Sequence, residues 1–131
     1  MALIEHRPEG YHVVRRVSSQ AIVVDEREFS ASFALAPDRD VVSLSATGVA
    51  QLDEAAVAAI LTLDPTLVLL GSGVRQQFPA QSLMAAFLRR GIGIESMDNA
   101  AAARTYNLLA EEGRRVVAVF LLAGDAGATT A

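Results

Sequence analysis

Residues 66–78 read TLVLLGSGVRQQF, and Pro79 follows them directly. This stretch joins an apolar run, Leu67–Leu70, to the turn-forming sequence Gly71-Ser72-Gly73. A short apolar run that ends in glycines is typical of a strand buried on both faces. In open α/β sheets, ligands bind beyond the carboxyl ends of the strands. The stretch therefore predicts a buried strand, with a candidate site in the loop that follows it.

The length and the patterning of the chain indicate one globular domain. With 131 residues, the chain can build a single core without a metal or a disulfide to support it. We expect one domain over residues 1–122. Residues 123–131 are small and unpatterned, so we expect a disordered tail there.

Two residue types that often carry chemistry are absent from the sequence. The chain has no cysteine, which excludes thiol catalysis, disulfides and thiolate metal sites. It has no lysine either, which excludes a P-loop lysine and Schiff-base chemistry. His6 and His12 match no standard spacing of metal ligands. We therefore predict no metal site and no cofactor.

The charge and the hydropathy pattern bear on the class of partner and on the cellular location. A net charge of -4 and a pI near 5.1 argue against a nucleic-acid-binding surface, which requires a basic stripe. Charged residues interrupt the first eight positions, so no signal peptide is predicted. The longest apolar run, residues 116–123, is far shorter than the roughly 20 residues that span a bilayer. We expect a soluble cytoplasmic protein.

The first third of the chain has the alternation of β-strands. Residues 11–18 predict an edge strand, and short strands are also predicted at 21–24 and 41–46. Between them, residues 29–35 alternate as one strand, which would place four residues on a single buried face: Phe29, Ala31, Phe33 and Leu35. We expect these strands to be antiparallel.

The rest of the chain alternates helices with strands. Asp53 and Asp98 are predicted N-caps of helices that end near Pro65 and Gly113. Between them, Pro79 suits the first turn of another helix, which ends before Gly91. Strands are predicted at 66–70, 92–97 and 114–122. The order of elements indicates one α/β domain, in which these last strands are parallel.

From Thr66 onward, the sequence resembles the Mth938-like family (DUF498/DUF598). The pieces that carry the resemblance cover about half of the chain and follow the family's order and spacing. They are LVLLGSG at 67–73, FP at 78–79, LRRGI at 88–92, ESM at 95–97, Ala102-Ala103, TYN at 105–107, EGR at 112–114 and VVAVF at 116–120. The family includes a mitochondrial complex I assembly factor and an adipogenesis-associated protein. It has no established catalytic activity.

The resemblance also carries expectations about the fold. It implies a three-layer α/β fold with a mixed central sheet, helices packed around it and extra N-terminal antiparallel strands. It further suggests that one of the last strands is antiparallel to the others, which differs from the expectation based on the residues.

The loop after the buried strand holds the first candidate site residues, Gly71, Ser72 and Gly73. They imitate part of a dinucleotide-binding fingerprint, but Gln76 stands where the third glycine belongs. A tight turn that needs a positive φ explains the two glycines better than nucleotide binding does. Alternatively, Ser72, Arg75 and backbone N–H groups could hold a small anion, unless Arg75 is only a solvated or structural residue.

Three further polar residues complete the candidate cleft. Glu95 ends the next strand and could face Arg75. Tyr106 and Asn107 lie in the middle of the third helix, where asparagine is unfavourable. This position predicts a hydrogen bond to a loop, such as the one after Gly71, with a structural role and a ligand-binding role left open.

No matched nucleophile, acid and base can be assembled from these residues, so no catalytic residue is predicted. The leading hypothesis is a non-enzymatic binding or assembly factor, similar to the family's respiratory-complex members, with a protein partner. The alternative is a small-anion-binding protein or enzyme that uses the cleft at Gly71-Ser72-Gly73. The oligomeric state, the ligand and the partner are left open.

Overall fold

A computed structural model of the protein describes residues 10–123. The segment with His6, and the predicted tail except for Ala123, lie outside these residues. The elements of the described part are, in chain order, β1 (Val14–Val17), β2 (Ile22–Val24), β3 (Arg27–Phe29), β4 (Phe33–Leu35), β5 (Val42–Ser43), a 3₁₀ turn (Val49–Gln51), α1 (Glu54–Leu61), β6 (Leu67–Gly71), α2 (Gln81–Leu88), β7 (Gly93–Met97), α3 (Asn99–Glu111) and β8 (Val116–Phe120).

The central sheet has the strand order β5-β4-β8-β6-β7. Strand β6 lies between β8 and β7, and Val68, Leu69 and Leu70 are at most 1% exposed. The prediction of a strand buried on both faces is confirmed.

Strands β6, β7 and β8 are all parallel to one another, whereas β4 is antiparallel to both β5 and β8. The suggestion from the family resemblance that one of the last strands is antiparallel to the others is therefore wrong. The helices α2 and α3 explain the parallel arrangement, because each is a crossover that returns the chain to the same end of the sheet.

The first three strands form a separate antiparallel sheet in the order β1-β2-β3. A two-residue turn at Asp25-Glu26 joins β2 to β3, and Asp25 adopts a left-handed φ of 54°. The antiparallel, β-rich first third is confirmed.

The single strand predicted for residues 29–35 is wrong. The segment divides into the end of β3 in one sheet and β4 in the other. At the corner between them, the Ser32 hydroxyl donates to the Leu122 carbonyl oxygen at 3.2 Å and accepts from the Leu122 N–H at 2.8 Å. These bonds fix β4 beside the end of β8, where the helical layer covers Ala34 and the second sheet covers Phe33. A strand covered on both faces does not have to alternate.

The fold has three layers, as the family resemblance implied. Helices α1 and α2 cover one face of the central sheet with an apolar cluster that includes Ile60 and Phe87. Helix α3 and the three-stranded sheet cover the other face, and Tyr106 and Phe120 lie in that second cluster.

The predicted helix ends are confirmed at most positions. The carboxylates of Asp53 and Asp98 accept hydrogen bonds from the N–H groups of the residues three positions on, at 3.0 and 2.8 Å. Gly91 and Gly113, which follow α2 and α3, have φ values of +75° and +80°.

The placement of Pro79 in the first turn of a helix is wrong, because α2 begins at Gln81. Both backbone groups of Gln77 are bound to side chains: its N–H donates to Ser72, and its carbonyl oxygen accepts from Ser96. The chain is therefore held in a loop up to the buried Pro79.

Candidate functional site

The loop that follows β6 is built around the hydroxyl of Ser72. We call residues 71–80, from the last residue of β6 to the residue before α2, the Gly loop. The Ser72 Oγ donates to the Arg75 carbonyl oxygen at 2.7 Å and accepts from the Gln77 N–H at 2.8 Å. The Met97 carbonyl oxygen lies 3.2 Å from the same Oγ. This hydroxyl therefore holds the loop in shape, and its hydrogen-bonding capacity is used within the chain.

Asn99 fixes the start of the loop, and the sequence analysis did not single it out. Its backbone N–H donates to the Gly73 carbonyl oxygen at 2.8 Å, and its Oδ1 accepts from the Gly73 N–H at 3.2 Å. Its Nδ2 donates to the Leu121 carbonyl oxygen at 3.0 Å, and the residue is buried. No sequence signal sets it apart, because Asn99 directly follows the N-cap Asp98 and asparagine is common at the starts of helices.

Both glycines of the loop meet a structural demand. A Cβ atom on Gly71 would lie 2.8 Å from the Val119 carbonyl oxygen and would overlap the Asn99 side chain. Gly73 has a φ of +112°, which favours glycine. The turn interpretation of Gly71 and Gly73 accounts for both positions.

Arg75 and Glu95 are both exposed, and no ion pair or hydrogen bond joins them within residues 10–123. Glu95 lies on β7, which is an edge strand of the central sheet. The structure thus brings Gly71, Ser72, Gly73 and Arg75 together in one loop but does not connect Glu95 to them.

Tyr106 and Asn107 bind the segment around β1 and not the Gly loop. The buried Tyr106 hydroxyl donates to the His12 carbonyl oxygen at 2.8 Å. The Asn107 side chain accepts from the Val14 N–H and donates to the Val14 carbonyl oxygen, each at 2.9 Å. The predicted hydrogen bonds exist, but the expected partner, the loop after Gly71, is wrong.

The environment of Tyr106 also changes its acidity. Burial raises the pKa of its phenol well above the usual range, and the negative charges of Asp25 and Asp38 act in the same direction. Tyr106 is therefore a neutral hydrogen-bond donor, which is the role that its bond to His12 requires.

A cleft of about 240 Å³ opens beside the Gly loop, and the residues that line it come from the β1–β2 turn, the loop and the start of α3: Val17, Ser18, Ser19, Gly73, Val74, Asp98, Asn99 and Ala100. Of the candidate residues, only Gly73 lines this cleft. Asp98, the N-cap of α3, places a carboxylate on this wall of the cleft, and its charge disfavours an anion there.

A larger cavity of about 410 Å³ lies at the opposite end of the strands, near the start of β8. Its charged lining includes Asp38, Arg39, Asp64 and Arg115, and the guanidinium of Arg115 forms an ion pair with the Asp64 carboxylate. The Arg39 guanidinium donates to the Thr62 carbonyl oxygen at 3.2 Å. Three of these four charged groups, Arg39, Asp64 and Arg115, are therefore committed to contacts within the chain.

No three His, Cys, Asp or Glu side chains are grouped to hold a metal ion in the described part of the chain. His12 contacts the Asp25 carboxylate at 2.6 Å and the Arg39 carbonyl oxygen at 3.0 Å. Both of its ring nitrogens thus serve contacts within the chain.

A model of a known protein family matches most of the chain. The family described as "Protein of unknown function (DUF498/DUF598)" matches residues 14–121. The chain belongs to this family. The match includes both sheets and the Gly loop, so all seven candidate site residues lie inside the family's domain.

Solved structures of similar proteins share the fold of this DUF498 chain. A protein from Xanthomonas campestris is 43% identical, with a TM-score of 0.78 over 95% of this chain and 94% of that one. A protein from Bordetella parapertussis is 33% identical, with a TM-score of 0.81 over 88% and 99%. A Bordetella pertussis protein described as a Mth938-like domain is 28% identical, with a TM-score of 0.81 over 95% and 94%.

One curated relative of this DUF498 chain is the "13 kDa major membrane protein" of Francisella tularensis subsp. holarctica (strain LVS). It is 31% identical over 62 residues, which are 47% of this chain and 50% of the relative. The chain thus spans about half the length of this relative. Between Gly10 and Ala123, no helix has the length and apolar character needed to cross a membrane.

Proposed function

We propose that the protein is a non-enzymatic protein-binding module of the assembly-factor type, with the Gly loop as its contact surface. The observation that carries this proposal is a loop fixed from within that presents apolar side chains to solvent. Val74 is 70% exposed and Phe78 is 72% exposed, while the Ser72 hydroxyl holds the backbone between them.

A loop of this kind favours binding for an energetic reason. Association costs free energy wherever it orders a mobile segment, so a loop that is already fixed loses less on binding. Arginine and aromatic residues are also enriched among the side chains that dominate interface energies. Arg75, together with the exposed apolar Val74 beside it, is therefore the side chain that we expect to contribute most to partner binding.

The polar groups near the loop support binding over catalysis. The Ser72 hydroxyl is bound to the loop backbone, and Asn99 is bound to Gly73 and Leu121. Within residues 10–123 the one histidine is His12, whose ring contacts Asp25 and Arg39 and not these two groups. A nucleophile without a base within hydrogen-bond reach is not activated. The family resemblance makes respiratory-complex subunits the first partners to test.

The test is a crosslinking pull-down with the full-length chain from cell extract. The double variant Val74→Ser, Arg75→Ala should recover at least about tenfold less of any partner than the wild type does, because both contacts are removed. Leu108→Ser is the matched control, since Leu108 is also exposed but lies on α3. Equal recovery by the double variant and the wild type contradicts the assignment of the loop. The absence of any stable partner, together with turnover of a metabolite by the purified protein, contradicts the function.

A second candidate is a small-anion site at Arg75, because the Arg75 guanidinium has no hydrogen-bond partner within residues 10–123. The test is phosphate binding measured by calorimetry, with Arg75→Ala as the variant. If the arginine serves an anion, the variant loses phosphate binding while its free energy of unfolding stays within about 0.5 kcal/mol of the wild type. A larger loss of stability identifies Arg75 as a structural brace and contradicts the anion site.

A further inference from the structure

The open edge of the central sheet is β7, and its hydrogen-bond pattern can be read from its two ends. The Gly93 N–H donates to the Thr66 carbonyl oxygen, and the Met97 carbonyl oxygen accepts from the Ser72 N–H. In a parallel ladder, the residues that bond to one neighbour alternate along the strand. Gly93, Glu95 and Met97 therefore face β6, while the backbone groups of Ile94 and Ser96 point away from the sheet.

At each end of β7, one outward-facing backbone group already has a hydrogen-bond partner within the chain. The Ile92 N–H donates to the Phe87 carbonyl oxygen at 3.0 Å, and the Ser96 carbonyl oxygen accepts from Gln76 Nε2 at 2.8 Å. Four outward groups have no partner within residues 10–123: the Ile92 carbonyl oxygen, both backbone groups of Ile94 and the Ser96 N–H.

These four groups can form hydrogen bonds with the same four groups of a second copy of the chain. If two β7 strands lie antiparallel about a two-fold axis at Ile94, the two Ile94 residues exchange both of their backbone hydrogen bonds. Each Ser96 N–H then meets the Ile92 carbonyl oxygen of the other copy. A longer ladder would also need a bond from each Ile92 N–H to the Ser96 carbonyl oxygen of the other copy. Both of these groups already have a partner within their own chain. We propose that β7 is a dimer interface that takes a second copy of this chain and joins the two central sheets.

The side chains of the edge fit this arrangement. With Ile94 on the axis, Glu95 lies opposite Gly93 of the second copy, so the two Glu95 carboxylates are not directly paired. Like charges directly opposite each other would destabilise the pairing. Since Gly93 has no side chain, the longer Glu95 side chain has room to lie across the partner strand.

Two exposed apolar residues support the same symmetry. Phe78 follows Gln77, whose carbonyl oxygen accepts from the Ser96 hydroxyl, so Phe78 lies near the carboxyl end of β7. Leu88 ends α2 and is 57% exposed, near the amino end of β7. Antiparallel pairing brings the two opposite ends of β7 together. Phe78 of each copy should therefore lie near Leu88 of the other, which would bury both.

The other edges of the described strands are less suited to pairing. The Asn107 side chain already binds both backbone groups of Val14 on β1. Strand β5 has two residues, and β3 presents the charged Arg27 and Glu28. Strand β7 is thus the edge at which a second copy finds free backbone groups.

The test compares Ser96→Pro with Ser96→Ala by sedimentation over a micromolar to millimolar concentration series. Proline removes the outward N–H and places its ring where the second copy must lie, and a proline is tolerated where a strand N–H faces solvent. Alanine keeps the N–H, and both variants lack the hydroxyl. We expect dimers of the 13.8 kDa chain for the wild type and Ser96→Ala. Association should be at least about tenfold weaker for Ser96→Pro.

Two further measurements keep the test decisive if Ser96→Pro does not fold. The exposed double variant Phe78→Ser, Leu88→Ser should also weaken association. In the wild type, the amide protons of Ile94 and Ser96 should exchange more slowly as the protein concentration rises. The Glu95 amide, which faces β6, should show no such dependence. A wild type that stays monomeric at millimolar concentration overturns the proposal, as does a dimer that Ser96→Pro leaves intact. Neither result bears on partner binding by Val74 and Arg75.

Discussion

At the scale of single residues, Gly71 is the position that tolerates least change. Gly71→Ala should lower the free energy of unfolding by about 2–3 kcal/mol, because the new methyl group has to displace the Asn99 side chain and a backbone oxygen of β8. Urea denaturation measures the difference.

Gly48 offers the matched control for this change. A Cβ atom there would meet nothing within 4 Å, and its φ of -157° is ordinary extended backbone. Gly48→Ala should therefore change the free energy of unfolding by less than about 0.5 kcal/mol. Equal effects at the two glycines would show that the close approach at Gly71 is not rigid.

Tyr106 predicts how stability depends on pH at the alkaline end. Its folded-state pKa is raised, so it stays neutral in the folded protein while an unfolded tyrosine ionises near about pH 10. The unfolded state then binds fewer protons than the folded state does. The contribution of Tyr106 to the free energy of unfolding should therefore be constant below about pH 9, and the free energy should fall as the pH rises above about 10.

The variant Tyr106→Phe should reduce this alkaline fall, at the cost of about 1 kcal/mol near neutral pH for the lost bond to His12. The chain has no lysine and only one other tyrosine, Tyr11, so few groups titrate in the same range. Tyr11→Phe is the control, and denaturation curves across the alkaline range provide the measurement. If Tyr106→Phe loses as much stability at alkaline pH as the wild type does, the loss does not arise from Tyr106.

At the scale of elements, Asn107 closes the outer edge of β1. Its two hydrogen bonds to Val14 replace those that a neighbouring strand would make. Asn107→Ala should cost about 1–2 kcal/mol and speed exchange of the Val14 amide proton, measured by NMR.

The variant Asn107→Asp distinguishes the effects of the two hydrogen bonds. A carboxylate still accepts from the Val14 N–H, but it cannot donate to the Val14 carbonyl oxygen. It should protect the Val14 amide better than Asn107→Ala does. Arg104→Ala, on an exposed position of the same helix, serves as the control. If all three variants leave Val14 exchange unchanged, Asn107 does not stabilise this edge.

At the scale of the whole molecule, the two sheets should differ in local stability. The central sheet is covered on both faces, whereas the outer face of the three-stranded sheet presents exposed side chains such as Arg16 and Glu28. Native-state hydrogen exchange should show that β1, β2 and β3 open at a lower free energy than β6 and β8 do. A common opening free energy for both sheets would contradict this order.

The sequence predicted those features of the fold that depend on neighbours along the chain. The caps Asp53 and Asp98 act within one helical turn, and the run Leu67–Leu70 shows its burial through its own composition. The division of residues 29–35 was missed, because Ser32 is held by Leu122, which is 90 residues further along the chain.

The candidate site likewise combines features set by neighbouring residues with features set by distant ones. The sequence by itself determined that β6 ends in a glycine turn and that no thiol or lysine chemistry is available. Only the tertiary structure decided that Asn99 binds Gly73, that Asn107 binds Val14 and that Glu95 stands apart on an open edge. The physical reason is that polar side chains are satisfied by whatever backbone the fold brings near them. For Asn107 that backbone is 93 residues away, and no local pattern of residues encodes such a partner.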